Sequence, residues 1–120
     1  MKPVLQTKFG KGNGNCYAAC IASILELPIE DVPNFCKSEN WFEDSREWVK
    51  QHGFDLLMVV ANDEWTPPDT FYIAGGEGGR GCKHTAVFRK DKLVHDPYPK
   101  GLGLQSIEDY IFFVPLADDS

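Results

Sequence analysis

Apolar residues recur in the first third of the chain with a helical beat. From Cys16 to Leu25 there is neither glycine nor proline, and Tyr17, Ile21, Ile24 and Leu25 fall at i, i+4, i+7 and i+8 on one face. The pattern predicts a helix that opens at Cys16, with Asn15 as its N-cap, and stops near Leu27. Pro28 disfavours helical geometry in the residue before it and cannot extend the hydrogen-bond ladder. A second helix is expected over residues 40–52, with Trp41, Trp48 and Val49 on one side. Its acids Glu43 and Asp44 come early and Lys50 late, which suits the helix dipole, and Gly53 supplies a stop. Residues 29–35 between the helices form a short connector whose apolar members should pack under the first helix.

Beyond residue 54 the beat shortens to that of strands. Residues 54–60, 70–74, 85–88, 93–94 and 111–114 are apolar and partly β-branched or aromatic, and a single turn is expected over 106–110. Helices first and strands afterwards predict an α+β fold, an antiparallel sheet with the helices packed on one side. Residues 1–15 read as an irregular lead-in with brief pairing at Val4-Leu5, and residues 118–120 as a solvated tail, so 1–120 is one domain.

Composition narrows the partners. With 120 residues, 42% of them hydrophobic, and 8 Phe, 3 Trp and 4 Tyr, the chain can bury a core of its own. A net charge of −6 gives little electrostatic support to a nucleic-acid or anionic-membrane partner, and Lys2, Lys8 and Lys11 are too sparse for a binding stripe. No apolar run approaches the ~20 residues that span a bilayer. The N-terminus lacks the apolar stretch of a secretory signal, so the chain reads as cytoplasmic with its four cysteines reduced.

Position then singles out one cysteine. The first turn of a helix presents unpaired N–H groups and the positive end of the dipole, which favours thiolate over thiol at Cys16. A nucleophilic cysteine needs a base, and His52, His84 and His95 are available. His52 ends an exposed helix. His84 and His95 lie on two strands joined by a charged tip. If that loop is the three residues 89–91, His84 faces Asp96 with Cβ atoms ~5 Å apart; a two-residue loop would put them on opposite faces. The order Cys16, His84, Asp96 then reads as nucleophile, base and orienter.

Other features read more plainly. Cys20, one turn past Cys16, should be buried beneath it, and Cys36 and Cys82 are taken as packing residues. A zinc site drawn from Cys16, Cys20, Cys82, His84 and His95 lacks the two tight ligand pairs that structural zinc requires, and no metal or other cofactor is expected. Residues 76–81 match G-x-G-x-x-G, but a strand follows where a dinucleotide fold needs a helix, so a mobile loop bordering the cleft is expected instead. Trp41, Trp48 and Trp65 are assigned to core or cleft wall.

The run Gly14-Asn15-Cys16-Tyr17-Ala18-Ala19-Cys20 at a helix start, His84-Thr85-Ala86-Val87-Phe88, and Val94-His95-Asp96-Pro97 together resemble the papain-like cysteine peptidase superfamily. The likeness is nearest to compact bacterial and phage members related to the C39 bacteriocin-processing peptidases. It implies a papain-like fold, a Cys16-His84-Asp96 triad, and an oxyanion hole made from the Cys16 N–H and a preceding glutamine. Gln6, the only glutamine upstream of Cys16, matches that role, with Asn13 and Asn15 as alternative amides. The implied reaction is cleavage of a peptide, isopeptide or related amide through a thioester, on a protein or peptide substrate. Two alternatives stay open: an amidase or transglutaminase-type transfer on the same triad, and a non-catalytic papain-like module that binds another protein.

Overall fold

The structure is a computed structural model that describes residues 1–10, 12–62, 64–79 and 83–117. Lys11, Cys82, the Arg80-Gly81 end of the glycine-rich run and the 118–120 tail lie outside the described residues.

Helix α1 spans Cys16–Leu25, and every residue from Tyr17 to Ser23 is buried. Alanines, Cys20 and Ser23 fill the sides that the apolar stripe leaves open, so α1 runs through the core instead of lying on the surface. It ends slightly earlier than Pro28 alone would require. Glu26 adopts a left-handed conformation (φ 60°), and its N–H returns to the Ala22 carbonyl. Asn15 stands at the N-cap position without capping. Its side-chain oxygen turns back to accept the Thr7 and Lys8 N–H groups, both at 2.9 Å. The lead-in forms no strand at Val4-Leu5 and is tied instead to α1, Lys2 N–H to the Ser23 carbonyl and Val4 N–H to the Ser23 hydroxyl, each at 2.9 Å.

Two 3₁₀ turns, Ile29–Asp31 and Phe35–Lys37, make the connector, and Val32 and Phe35 pack under α1 as expected. Helix α2 spans Trp41–Lys50, shorter at both ends than its sequence signals. The chain leaves it through Gly53, at φ +87°, a conformation glycine adopts without a Cβ clash. Arg46 fastens α2 to the first strand through Nε and Nη2 on Asp55, at 3.0 and 3.1 Å.

The strands are β1 (Phe54–Val60), β2 (Phe71–Glu77), β3 (Lys83–Arg89), β4 (Lys92–His95) and β5 (Asp109–Pro115), in the order β1-β5-β2-β3-β4 with antiparallel neighbours throughout. Both helices cover one face. Leu56, Ile73, Val87 and Ile111 rise from the sheet to meet Tyr17, Ile21 and Val49 in a single cluster. The other face carries Tyr72, Phe88, Tyr110 and Phe112, and Trp65 lies against the last two. The fold is α+β, an antiparallel sheet with its helices on one side.

Three local expectations change. No turn of helix forms at 106–110; the segment runs irregularly into β5 at Asp109. Gly75 and Gly76 belong to β2 and not to a loop. The need for glycine at Gly76 is steric, since a Cβ there would stand 1.9 Å from the Ser106 carbonyl oxygen. Finally, the β3–β4 loop has two residues, Lys90-Asp91, because Arg89 pairs with Lys92. That loop alone would send His84 and Asp96 to opposite faces. A bulge reverses this: Phe88 pairs with Leu93 but Val87 with His95, so Val94 is an extra residue. Continued one step, the register puts Asp96 opposite Ala86, diagonal to His84 and on its side of the ladder.

Candidate functional site

Three elements converge at the open end of α1. The helix contributes Cys16 as its first residue, β3 contributes His84 and Thr85, and the chain just past β4 contributes Asp96. His84 Nε2 lies 2.6 Å from Asp96 Oδ1, and the two side chains are only 2% and 4% exposed. A carboxylate can only accept, so Nε2 carries the hydrogen of this bond. Asp96 is itself held in place. Oδ1 also accepts the Tyr98 N–H at 2.9 Å, and Oδ2 accepts the Gly103 N–H at 2.6 Å. Burial alone would raise the Asp96 pKa, but these donors and the His84 charge outweigh it and hold the carboxyl below its ordinary range.

With Nε2 committed, Nδ1 is the free ring nitrogen. It is buried and makes no hydrogen bond among the described residues. The Cys16 thiol is the group set beside this imidazole. Burial opposes the thiolate, yet the neighbouring His84 and Thr85 outweigh it and pull the Cys16 pKa below 9.0. His84 answers in the opposite sense. Burial disfavours its charge, but Cys16 and Asp96 raise its pKa above 6.5. Opposite shifts on two neighbours favour a thiolate–imidazolium pair, the reactive form of a cysteine nucleophile.

No family model, curated protein or solved structure matches this chain. The residues of the site therefore have to speak for themselves.

They open onto a cleft of about 320 Å³ on the helix-covered side of the sheet. Tyr17 and Trp41 form an aromatic wall, and Thr85, Gly75 and Asp109 lie side by side across the floor on β3, β2 and β5. Cys36, exposed on the second 3₁₀ turn, also lines it. Gln6 is not among the lining residues. It is buried, donates from Nε2 to the Lys8 carbonyl at 2.9 Å, and leaves Oε1 without a partner among the described residues. Its amide lies near the chain two residues before Cys16, since a Cβ on Gly14 would come 3.8 Å from Gln6 Nε2. Of the alternative amides, Asn15 is committed, with Nδ2 on the Thr7 hydroxyl at 3.0 Å and its oxygen on two backbone N–H groups, and Asn13 is exposed.

His95, His52 and Cys20 stand outside the cleft lining. His95 Nε2 donates to the Val4 carbonyl at 2.7 Å, and His52 lies against the Trp48 ring. Cys20 is fully buried, its Sγ 3.7 Å from the Thr85 hydroxyl, and burial pushes its pKa well up. Among the described residues no three His, Cys, Asp or Glu side chains group as metal ligands. Sequence reasoning missed Thr85 and Asp109. Asp109 could have been found, since it alternates in phase with Ile111 and Phe113 and so faces the helices as they do. The role of Thr85 depends on how α1 lies over β3, which no local pattern encodes.

Proposed function

We propose that this chain is a papain-like cysteine hydrolase acting on a peptide, isopeptide or related amide. The observation that carries the reading is the buried His84–Asp96 pair set beside a cysteine at the start of a helix. The Cys16 thiolate attacks the carbonyl carbon, and the developing oxyanion is met by the Cys16 N–H and the second N–H of Gln6 Nε2. His84, protonated in the resting pair, gives its proton to the departing amine as the C–N bond breaks, which leaves a thioester on Cys16 and a neutral imidazole. His84 then takes a proton from water, the hydroxide adds to the thioester, and collapse expels the thiolate and re-forms the ion pair. Asp96 holds the ring orientation and its charge through both steps. An amine in place of water would make the same site a transferase.

The test is digestion of a random-sequence peptide library read by mass spectrometry, with wild type and Cys16→Ala in parallel. The expected result is a set of new termini that appear with time and vanish in the variant. The reading is overturned if no cleavage or acyl transfer occurs and Cys16 is alkylated no faster than a free peptide thiol.

A further inference from the structure

Among the described residues, one charge in the cleft has no direct partner. Lys83 and Glu108 both line it, but they neutralise each other through an ion pair at 2.5 Å. Asp109 is different: its side chain has no hydrogen bond or ion pair among the described residues, although half-buried in the cleft floor. Room for that carboxylate is made by its neighbour. A Cβ on Gly75, directly across from Asp109 on β2, would stand 2.7 Å from Asp109 Oδ1. The chain thus gives up a side chain in mid-strand, which weakens a strand, where doing so leaves an acid standing open in the cleft. The apolar part of the lining is Tyr17, Trp41 and Ile111.

We propose that Asp109 forms a specificity subsite for a basic side chain of the substrate, lysine or arginine, near the bond that Cys16 attacks. The aliphatic stem would lie along Ile111 and the aromatic wall while the cationic head meets Asp109, and Trp41 can add a cation–π contact. An exposed salt bridge contributes little, but a pairing made inside a cleft is less screened and carries more selectivity. Burial, followed by the Glu108 charge, raises the Asp109 pKa despite Lys83, as expected of a carboxylate whose counter-charge arrives with the ligand. The net charge of −6 favours approach of a basic substrate. The placement relative to the scissile bond rests on reading Cys16 as the nucleophile; the binding preference does not.

Two measurements separate them. In the first, Cys16→Ala is titrated with N-acetyl-lysine methylamide and, separately, with its neutral analogue N-acetyl-norleucine methylamide, and followed by amide NMR. The lysine compound should give saturable shifts at Gly75, Gly76, Asp109 and the Trp41 indole, with binding at least about tenfold tighter than the norleucine compound. Adding Asp109→Asn, which keeps the shape and removes the charge, should erase that preference. Equal binding of the two compounds, or a preference that survives the Asn substitution, overturns the subsite whatever Cys16 does. In the second, wild type meets the lysine and norleucine chloromethyl ketones, where S–C bond formation at Cys16 expels chloride. Faster labelling by the lysine reagent joins subsite and nucleophile. Lysine-selective binding without labelling at Cys16 upholds the subsite and overturns the acyl-transfer reading alone.

Discussion

Cys16 and Cys20 stand one helical turn apart, and His84 and His95 stand on the two strands of one hairpin, yet each pair divides into a member that the proposed chemistry uses and a structural one. Cys16 looks out of the helix start at a cleft, with His84 and Thr85 favouring its thiolate. Cys20, deeper in the same helix, also touches Thr85, but full burial pushes its thiol well up. His84 bonds an ionised carboxylate, and His95 a backbone carbonyl. A carboxylate supports a positive ring, whereas a neutral carbonyl only orients one. Residue type is therefore no guide to role in this chain; the group on the far side of each side chain decides it.

The sharpest way to break the comparison is to remove what distinguishes His84 from His95. Asp96→Ala leaves a buried imidazole unpaired and frees the Tyr98 and Gly103 N–H groups, and should cost about 3–5 kcal/mol of stability, measured by urea unfolding. The loss depends on pH. Asp96 is depressed below 3.8, so its contribution is present above that value and fades as pH falls through the folded pKa. His84 is raised above 6.5, so its contribution is full below 6.5 and fades as pH rises through its folded pKa. The gap between wild type and variant should be widest between 3.8 and 6.5 and narrow on both sides. A gap that widens steadily with rising pH would contradict the pairing.

How far the sequence anticipates this follows the range of each signal. The α1 start, the β1 limits and the single-sided packing are written in local periodicity, and the structure has them. The side-by-side placement of His84 and Asp96 was reached through a three-residue loop that does not form. A two-residue turn and an unpaired Val94 give the same parity by another route, and a bulge leaves no mark in the alternation of four residues. Asn15 carries the composition of a cap but spends its side chain on Thr7 and Lys8, because the lead-in folds back along α1, a tertiary fact. Gly75 and Gly76 read as loop because glycine has no strand preference; steric demands from Asp109 and Ser106 put it there.

The two cysteines can be compared directly by iodoacetamide labelling and peptide mapping at neutral pH. Cys16 should react at least about 100-fold faster than Cys20, which is shielded until the protein unfolds. The pH at which Cys16 labelling is half-maximal should lie below 9.0 and move toward or above it in His84→Ala, because burial stays and only Thr85 is left to oppose it. At pH 7 that shift should slow labelling about tenfold or more. His95→Ala should leave the profile in place, and a shift there as large as that in His84→Ala would undo the division of roles.

The smallest effect tests the structural member on its own terms. His95→Asn keeps a donor but shortens the reach to the Val4 carbonyl, so at most one hydrogen bond is lost, about 1 kcal/mol. The consequence should be local. Val4 N–H is held by Ser23, and Gln6 N–H bonds the Pro97 carbonyl just past Asp96, so the lead-in has other ties and should loosen only around Val4. Hydrogen exchange should quicken at Val4 and Gln6 while the amides of α1 keep their protection. A fall in Cys16 reactivity alongside this loosening would carry its own meaning: the lead-in, through Gln6 beside Gly14, would then be part of what positions Cys16, and His95 would act on the site at one remove.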